Sequence, residues 1–266
     1  FGAFRDKVMR QLTQFKWANR PEANDVVWQM MQPAIRFSLD DCTDLPEQTF
    51  ITREVEMTPE QKKAYKDMLS KLATDYQGGQ ILAVNEAVKA NKLIQIACGV
   101  AYGANGEEVV IPSKPRMDVL KEIIEESEGK VIVFVPLTAA LESVAAELSK
   151  DWSVEIVHGQ TSKSERDRIF GEFQRQPDPR VLVANAAAMS HGLTLTEATT
   201  VVWYAPVHSN ETYEQACARV RRPGQTRTTV IVHICGSDVE RRVYKRLQDK
   251  QSMQGLLLDM MKERPE

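Results

Sequence analysis

From Ser113 onward the chain alternates at short range between two kinds of segment. One kind comprises "KVIVFVP", "VEIVHG", "RVLVAN", "TVVWYAP" and "TTVIVHI", short runs rich in Val and Ile with little or no polar face. The other is helical in pattern: residues 114–127, "TAALESVAAELSK", "SKSERDRIFGEFQ", "ETYEQACARVRR" and "SDVERRVYKRLQDK". Ser162/Glu165 and Ser237/Glu240 are spaced as capping boxes at two of the helix starts. A strand that is apolar on both sides needs cover on both sides, and strands separated by helices pair in parallel. The pattern therefore predicts an α/β fold, a parallel sheet with helices on both faces. Ligands of such sheets bind beyond the carboxyl ends of the strands, where the loops after "RVLVAN" and "VVWYAP" lie.

Residues 1–112 read differently and are expected to form a mostly helical accessory or linker region, with the lobe occupying 113–266. Residues 1–50 mix Pro, acids and apolar residues, suggesting short helices and loops. "TFITREVEM" alternates like a half-buried strand. Thr58, Pro59 and Gln61 open a helix with a capping box, and Tyr65, Met68, Leu69, Leu72 and Tyr76 fall on one stripe of it. "ILAVNEAVKANKLIQIACGVAYG" reads as a second helix.

The stretch "YEQACARVRRPGQ", Tyr213 to Gln225, carries the chemistry. At helical phase Gln215, Arg219 and Arg222 fall within roughly 60° of arc and Arg221 points the other way. Pro223 stops the helix at about Arg221 or Arg222, which leaves Arg222 at its mouth. A guanidinium is permanently charged and its fork matches phosphate oxygens. Arginines also favour helix carboxyl ends as solvated side chains, so the spacing leaves both uses open.

Several classes of function are excluded or disfavoured. The formal net charge of -3 predicts no global attraction to nucleic acid, so such binding must use local patches. Cys42, Cys98, Cys217 and Cys235 form no CxxC pair and the four His are scattered, so no metal site is expected. Scattered unpaired cysteines fit a reducing cytoplasm, where the protein is expected. No run approaches the roughly 20 apolar residues of a membrane span and no signal peptide is visible. The first residue is Phe1, not Met, which suggests a processed, excised or partial protein.

Five segments in order resemble the Swi/Snf-like ATPases of helicase superfamily two. "QACARVRRPGQ" resembles the sixth motif, usually Q-A-x-D-R-x-H-R-x-G-Q. "LPEQTFITREVEMTPEQKKAYKDML" resembles the segment that links the two motor lobes, and "KVIVFVP" the fourth motif. "VHGQTSKSERDRIFGEFQ" resembles the following block through Gly159, Arg166 and Phe173. "VLVANAAAMSHGLTLTEATTVVWYAP" resembles the fifth motif through Gly192, Leu193 and Leu195. Ala218, Arg221 and Thr194 depart from the usual Asp, His and Asn, and His191-Gly192 stands in place of a Gly-rich run, as in shorter bacterial and phage members.

The resemblance implies a RecA-like second motor lobe of an ATP-dependent DNA translocase. Arg219 and Arg222 would be arginine fingers, and Gln215 and Gly192 nucleotide contacts. Gly159, Gln160, Thr161, Asn185, Ala186 and His191 would meet the DNA phosphate backbone. ATP and Mg²⁺ would be held mainly by the N-terminal RecA-like lobe, the implied partner besides double-stranded DNA. This chain has neither a G-K-[ST] phosphate loop nor a DExx box. Gly129-Lys130 lacks the upstream glycine and the following hydroxyl, and reads as a helix stop and a strand entry. The chain alone is therefore expected to be inactive. A non-catalytic RecA-like binding module, or a lobe of another superfamily-two motor such as a restriction translocase or RNA helicase, are the alternatives.

Overall fold

A computed structural model describes residues 2–33, 43–71, 73–76, 79–82, 86–103, 106–189 and 194–249. They form two compact units, which divide between Asp44 and Leu45.

In the first unit α1 (Gly2–Val8) leads into a hairpin of β1 (Met9–Thr13) and β2 (Lys16–Asn19), followed by α2 (Ala23–Met31). The hairpin was not foreseen among the short helices. Leu12 and Phe15 carry the apolar content of its tip, where no helical stripe forms.

The second unit is built on a six-stranded parallel sheet in the order β3-β12-β11-β8-β10-β9. Its strands are β3 (Gln48–Glu54), β8 (Lys130–Phe134), β9 (Val154–Val157), β10 (Val181–Ala184), β11 (Ala198–Trp203) and β12 (Thr229–Cys235). The parallel α/β expectation holds. β3 comes from before residue 112, so the accessory segment lends the sheet its edge strand, pairing with β12 from Gln48↔Thr229 to Glu54↔Cys235.

Side-chain alternation explains the continuous apolar runs. Val131 and Val133 of β8 pack with α5 (Lys114–Glu126) and α6 (Thr138–Leu148) on one face through Leu120, Ile124, Leu141 and Val144. Ile132 and Phe134 pack on the other face with Phe173 of α7 (Lys163–Arg175), Tyr213 of α8 (Asn210–Cys217) and Leu247 of α9 (238–249). Ser162 and Ser237 accept from the Glu165 and Glu240 amides, as their spacing predicts.

Between β3 and the main run lie α3 (Pro59–Lys71), a hairpin of β4 (Ala73–Tyr76) and β5 (Gly79–Leu82), α4 (Glu86–Cys98), and a hairpin of β6 (Val100–Tyr102) and β7 (Glu108–Val110). Thr58 Oγ1 accepts from the Gln61 amide and Gln61 Oε1 from the Thr58 amide, completing the foreseen capping box. The two long helices expected here are shorter than their patterns. α3 stops at Lys71, Tyr76 pairs with Gly79 in a strand, and α4 begins only at Glu86. The β-branched Thr74 and Ile81 flank a Gly-Gly turn signal, which favours the hairpin over a continued helix. Buried Ala64 and Met68 hold α3 to Leu93 and Ile96 of α4, whereas Leu69 is exposed.

Gly129 lies beyond the end of α5, with Ser127 already in the cap position. A Cβ there would stand 2.4 Å from Thr199 Oγ1, so the glycine serves close approach to β11 rather than helix termination. Lys130 enters β8 as expected, and its ammonium caps α7 by donating to the Phe173 and Gln176 carbonyls at 2.7 and 2.6 Å.

Candidate functional site

The expected site residues fall at opposite ends of the sheet. Gly159, Gln160 and Thr161 follow the carboxyl end of β9. Thr161 Oγ1 accepts from the His158 amide at 3.0 Å and the Thr161 amide donates to the His158 carbonyl at 3.1 Å. This closes a small turn that leaves Gly159 and Gln160 exposed, with no heavy atom within 4 Å of where a Cβ of Gly159 would lie.

Asn185 and Ala186 follow β10. Asn185 Nδ2 donates to the Pro136 carbonyl at 3.2 Å, and Asn185 Oδ1 accepts from the Ala187 amide at 3.0 Å. Asn185 thereby starts the short 3-10 helix Ala186–Met189, whose Ala186 is buried. Arg166 of α7 donates to the Ala188 carbonyl at 3.3 Å and ties the two loops together. His191 and Gly192 lie outside the described residues, as does Leu193 of the same motif.

The arginine turn lies at the amino end of β11. α8 opens at the carboxyl end, with Ser209 Oγ accepting from the Thr212 amide, and runs back along the sheet. It ends at Cys217, four to five residues before the end expected from Pro223. Arg219 and Arg222 therefore stand in a turn, and helical phase does not describe them. A buried amide explains the early exit. Gln225 Nε2 donates to the carbonyls of Thr196, Ala198 and Val220 at 2.9, 3.1 and 3.2 Å. Those bonds draw the chain out of the helix and against the start of β11. Gly224, at φ +102°, supplies the left-handed residue the turn requires.

Within the turn, Arg219 is buried and its carbonyl accepts from the Leu195 amide at 3.0 Å, joining the fifth-motif segment to the sixth. Burial, and after it the charge of Arg222, push the Arg219 guanidinium below its ordinary value. Arg222 is part-exposed, its Nε donating to the Ala218 carbonyl at 3.2 Å. Arg221 does point away, to the Pro46 carbonyl at 3.3 Å. Gln215 remains on α8 and donates to Glu211 at 3.0 Å. The chain thus brings a buried and a part-exposed guanidinium into one turn, like charges that an anion beside them would stabilise.

Two buried polar groups were not foreseen. Arg116 Nη2 binds both Glu240 oxygens at 2.8 and 2.9 Å, and its Nη1 donates to the Tyr204 carbonyl at the exit of β11. Burial opposes this charge, and Glu240 more than offsets it, so the guanidinium is raised above its ordinary value. Glu240 was legible only as a capping residue; a partner 124 positions away leaves no local signal. His233 of β12, with no role assigned from sequence, meets Tyr213 Oη at 2.8 Å and stacks on Tyr244 at 4.3 Å. Burial lowers it to about 4. Cys217 and Trp203 are core residues. No cluster of His, Cys, Asp or Glu among the described residues could hold a metal ion. No described helix is long and apolar enough to cross a membrane.

Residues 115–224 match the family model for the helicase conserved C-terminal domain. That span runs from α5 through the arginine turn. These residues thus carry a helicase conserved C-terminal domain on a RecA-like fold. The lobe is similar to putative protein p41 of Acyrthosiphon pisum secondary endosymbiont phage 1, 26% identical over 238 residues, which are 86% of this chain and 50% of that protein. It is similar to the chromatin-remodeling ATPase INO80 of Emericella nidulans, 27% identical over 145 residues, 54% of this chain and 9% of that protein. The chain therefore spans half or less of these relatives. In fold, the lobe is similar to the Sulfolobus solfataricus SWI2/SNF2 ATPase core in complex with dsDNA, with a TM-score of 0.60 and 24% identity over 87% of this chain and 51% of that one.

Proposed function

We propose that this chain is the second motor lobe of an ATP-dependent DNA translocase, and that its two sheet ends divide the work. The observation that carries the reading is the convergence of Arg219 and Arg222 in the one turn between α8 and β12. Two such guanidiniums match the γ-phosphate of a nucleotide held by a facing lobe, where they stabilise charge developing in the transition state. Gln215 and Gly192 belong to the same nucleotide-facing set. ATP and Mg²⁺ are held by the N-terminal lobe, so this chain by itself hydrolyses ATP at no meaningful rate.

Gly159, Gln160, Thr161, Asn185, Ala186 and His191 form the DNA-backbone set. Support comes from the open faces of the first loop and from the relative solved with double-stranded DNA. Exposed turn amides and small hydroxyls suit phosphate contacts, which position a protein without reading sequence. The division near residue 112 belongs to the same proposal, with the accessory region donating β3 to the lobe. The proposed setting is the cytoplasm of a bacterial cell or phage-infected host.

The test is DNA-stimulated ATP hydrolysis by the intact parent, wild type against Arg222→Ala. The expected loss is about 10³-fold or more in turnover with DNA binding kept. Unchanged turnover removes the finger assignment.

A further inference from the structure

The first unit carries a feature that the motor reading does not use. The hairpin β1–β2 has an aromatic tip: Phe15 is 88% exposed and Leu12 is 51% exposed. Residues 9–20 hold Arg10, Lys16 and Arg20 and no acid, within a chain whose net charge is -3.

The register sorts these side chains. Arg10 pairs with Ala18 and Gln11 with Trp17. Successive strand residues face opposite ways, so Arg10, Lys16 and Ala18 share one face and Gln11 and Trp17 the other. The Trp17 face is the anchor, with the Arg5 guanidinium 4.0 Å from the ring centroid. Arg20 closes the base by donating to the Met9 carbonyl at 3.2 Å. Gln11 donates to the Gln14 carbonyl at 3.3 Å and gives the turn a defined shape. Among the described residues Arg10 and Lys16 have no ion-pair partner, with small Ala18 between them on their face. One face of the hairpin is thus held by its own unit, while the other presents two cations, with the uncovered Phe15 in the adjoining turn.

We propose that this hairpin binds a nucleic-acid strand with unpaired bases: Arg10 and Lys16 contact successive phosphates and Phe15 stacks on a base. A groove of cations with an aromatic platform is the general chemistry of single-strand binding. Gln11, Thr13 and Gln14 add hydrogen-bonding groups around the tip, which suits a polar strand better than a lipid surface. The proposal rests on reading the protein as a nucleic-acid motor, to which it adds a contact separate from the loops at the sheet.

The test measures binding of this chain to a labelled single-stranded oligonucleotide, the matching duplex, and an abasic strand of the same length. Phe15→Ala is expected to weaken binding to the base-containing strand by about fivefold or more and to leave the abasic strand unaffected. Arg10→Ala with Lys16→Ala is expected to weaken both and to flatten the dependence on salt. Phe15→Trp is expected to show fluorescence quenching with bases and none without. These positions are exposed, and unchanged circular dichroism confirms folding.

Equal affinity of Phe15→Ala and wild type, or no single-strand binding by wild type, overturns the proposal. So does binding to phosphatidylserine vesicles that Phe15→Ala weakens while strand binding is unmoved. Loss of strand binding in Thr161→Ala but not in the hairpin variants overturns the hairpin alone and leaves the motor reading intact. Failure of the motor reading is registered separately, by the ATPase of Arg222→Ala.

Discussion

At the amino end of β11 the arginine turn hangs on one buried amide, Gln225, bonded to three carbonyls. At the carboxyl ends of β9 and β10 the loops are held by local turns, His158 with Thr161 and Asn185 with Ala187. A buried multidentate group fixes a charge against repulsion, as Arg219 beside Arg222 requires. Small turns held by short-range bonds leave Gly159 and Gln160 exposed. The difference teaches that one lobe can fix a charged turn rigidly at one end of its sheet and tether its loops lightly at the other.

The largest stability effect expected for this contrast lies at neither loop but behind the carboxyl end. Arg116→Ala leaves the Glu240 carboxylate buried and unpaired, and is expected to destabilise the lobe by about 3–5 kcal/mol in denaturant unfolding. If the cost is under 1 kcal/mol, the carboxyl end has no buried anchor.

The next effect is a pH dependence. His233 is lowered to about 4 in the folded lobe, so the unfolded chain binds the proton more readily. The stability this supplies is fully present above about pH 6.5 and is lost as pH falls from there towards 4, up to about 3 kcal/mol. Tyr213 joins His233 to Trp203, with ring centroids 5.0 Å apart, so near-ultraviolet circular dichroism should report the loosening of α8. His233→Phe is expected to flatten that acid limb; an unchanged slope assigns it elsewhere.

The smallest effect tests the contrast most directly. Gln225→Ala leaves three buried carbonyls short of a donor and is expected to cost about 1–3 kcal/mol. Thr161→Ala, in a part-exposed turn, is expected to cost less than about 1 kcal/mol. Equal costs in the same unfolding assay erase the difference between the two ends.

Much of the fold was legible because it follows from local rules. Val131 and Ile132 need cover on opposite faces, and Ser162, Ser237 and Thr58 announce their helices. The limits were equally physical. Pro223 marks where a helix must have stopped, whereas Gln225 decides where it does, through carbonyls of Thr196 and Ala198 far back in the chain. Arg116 and Glu240 meet only in the folded lobe. Gln225 was visible as a motif letter and Arg219 as a charge, but burial of either could not be read from phase along one helix.

β3 has a mechanical consequence. The first unit ends at Asp44 and the strand begins at Gln48, registered with β12 over seven successive pairs. A pull on the intervening segment along the strand loads those ladder bonds together in shear, not one by one as in unzipping. Tension on that segment would thus enter this lobe through its sheet, spread over a whole strand rather than concentrated at a loop.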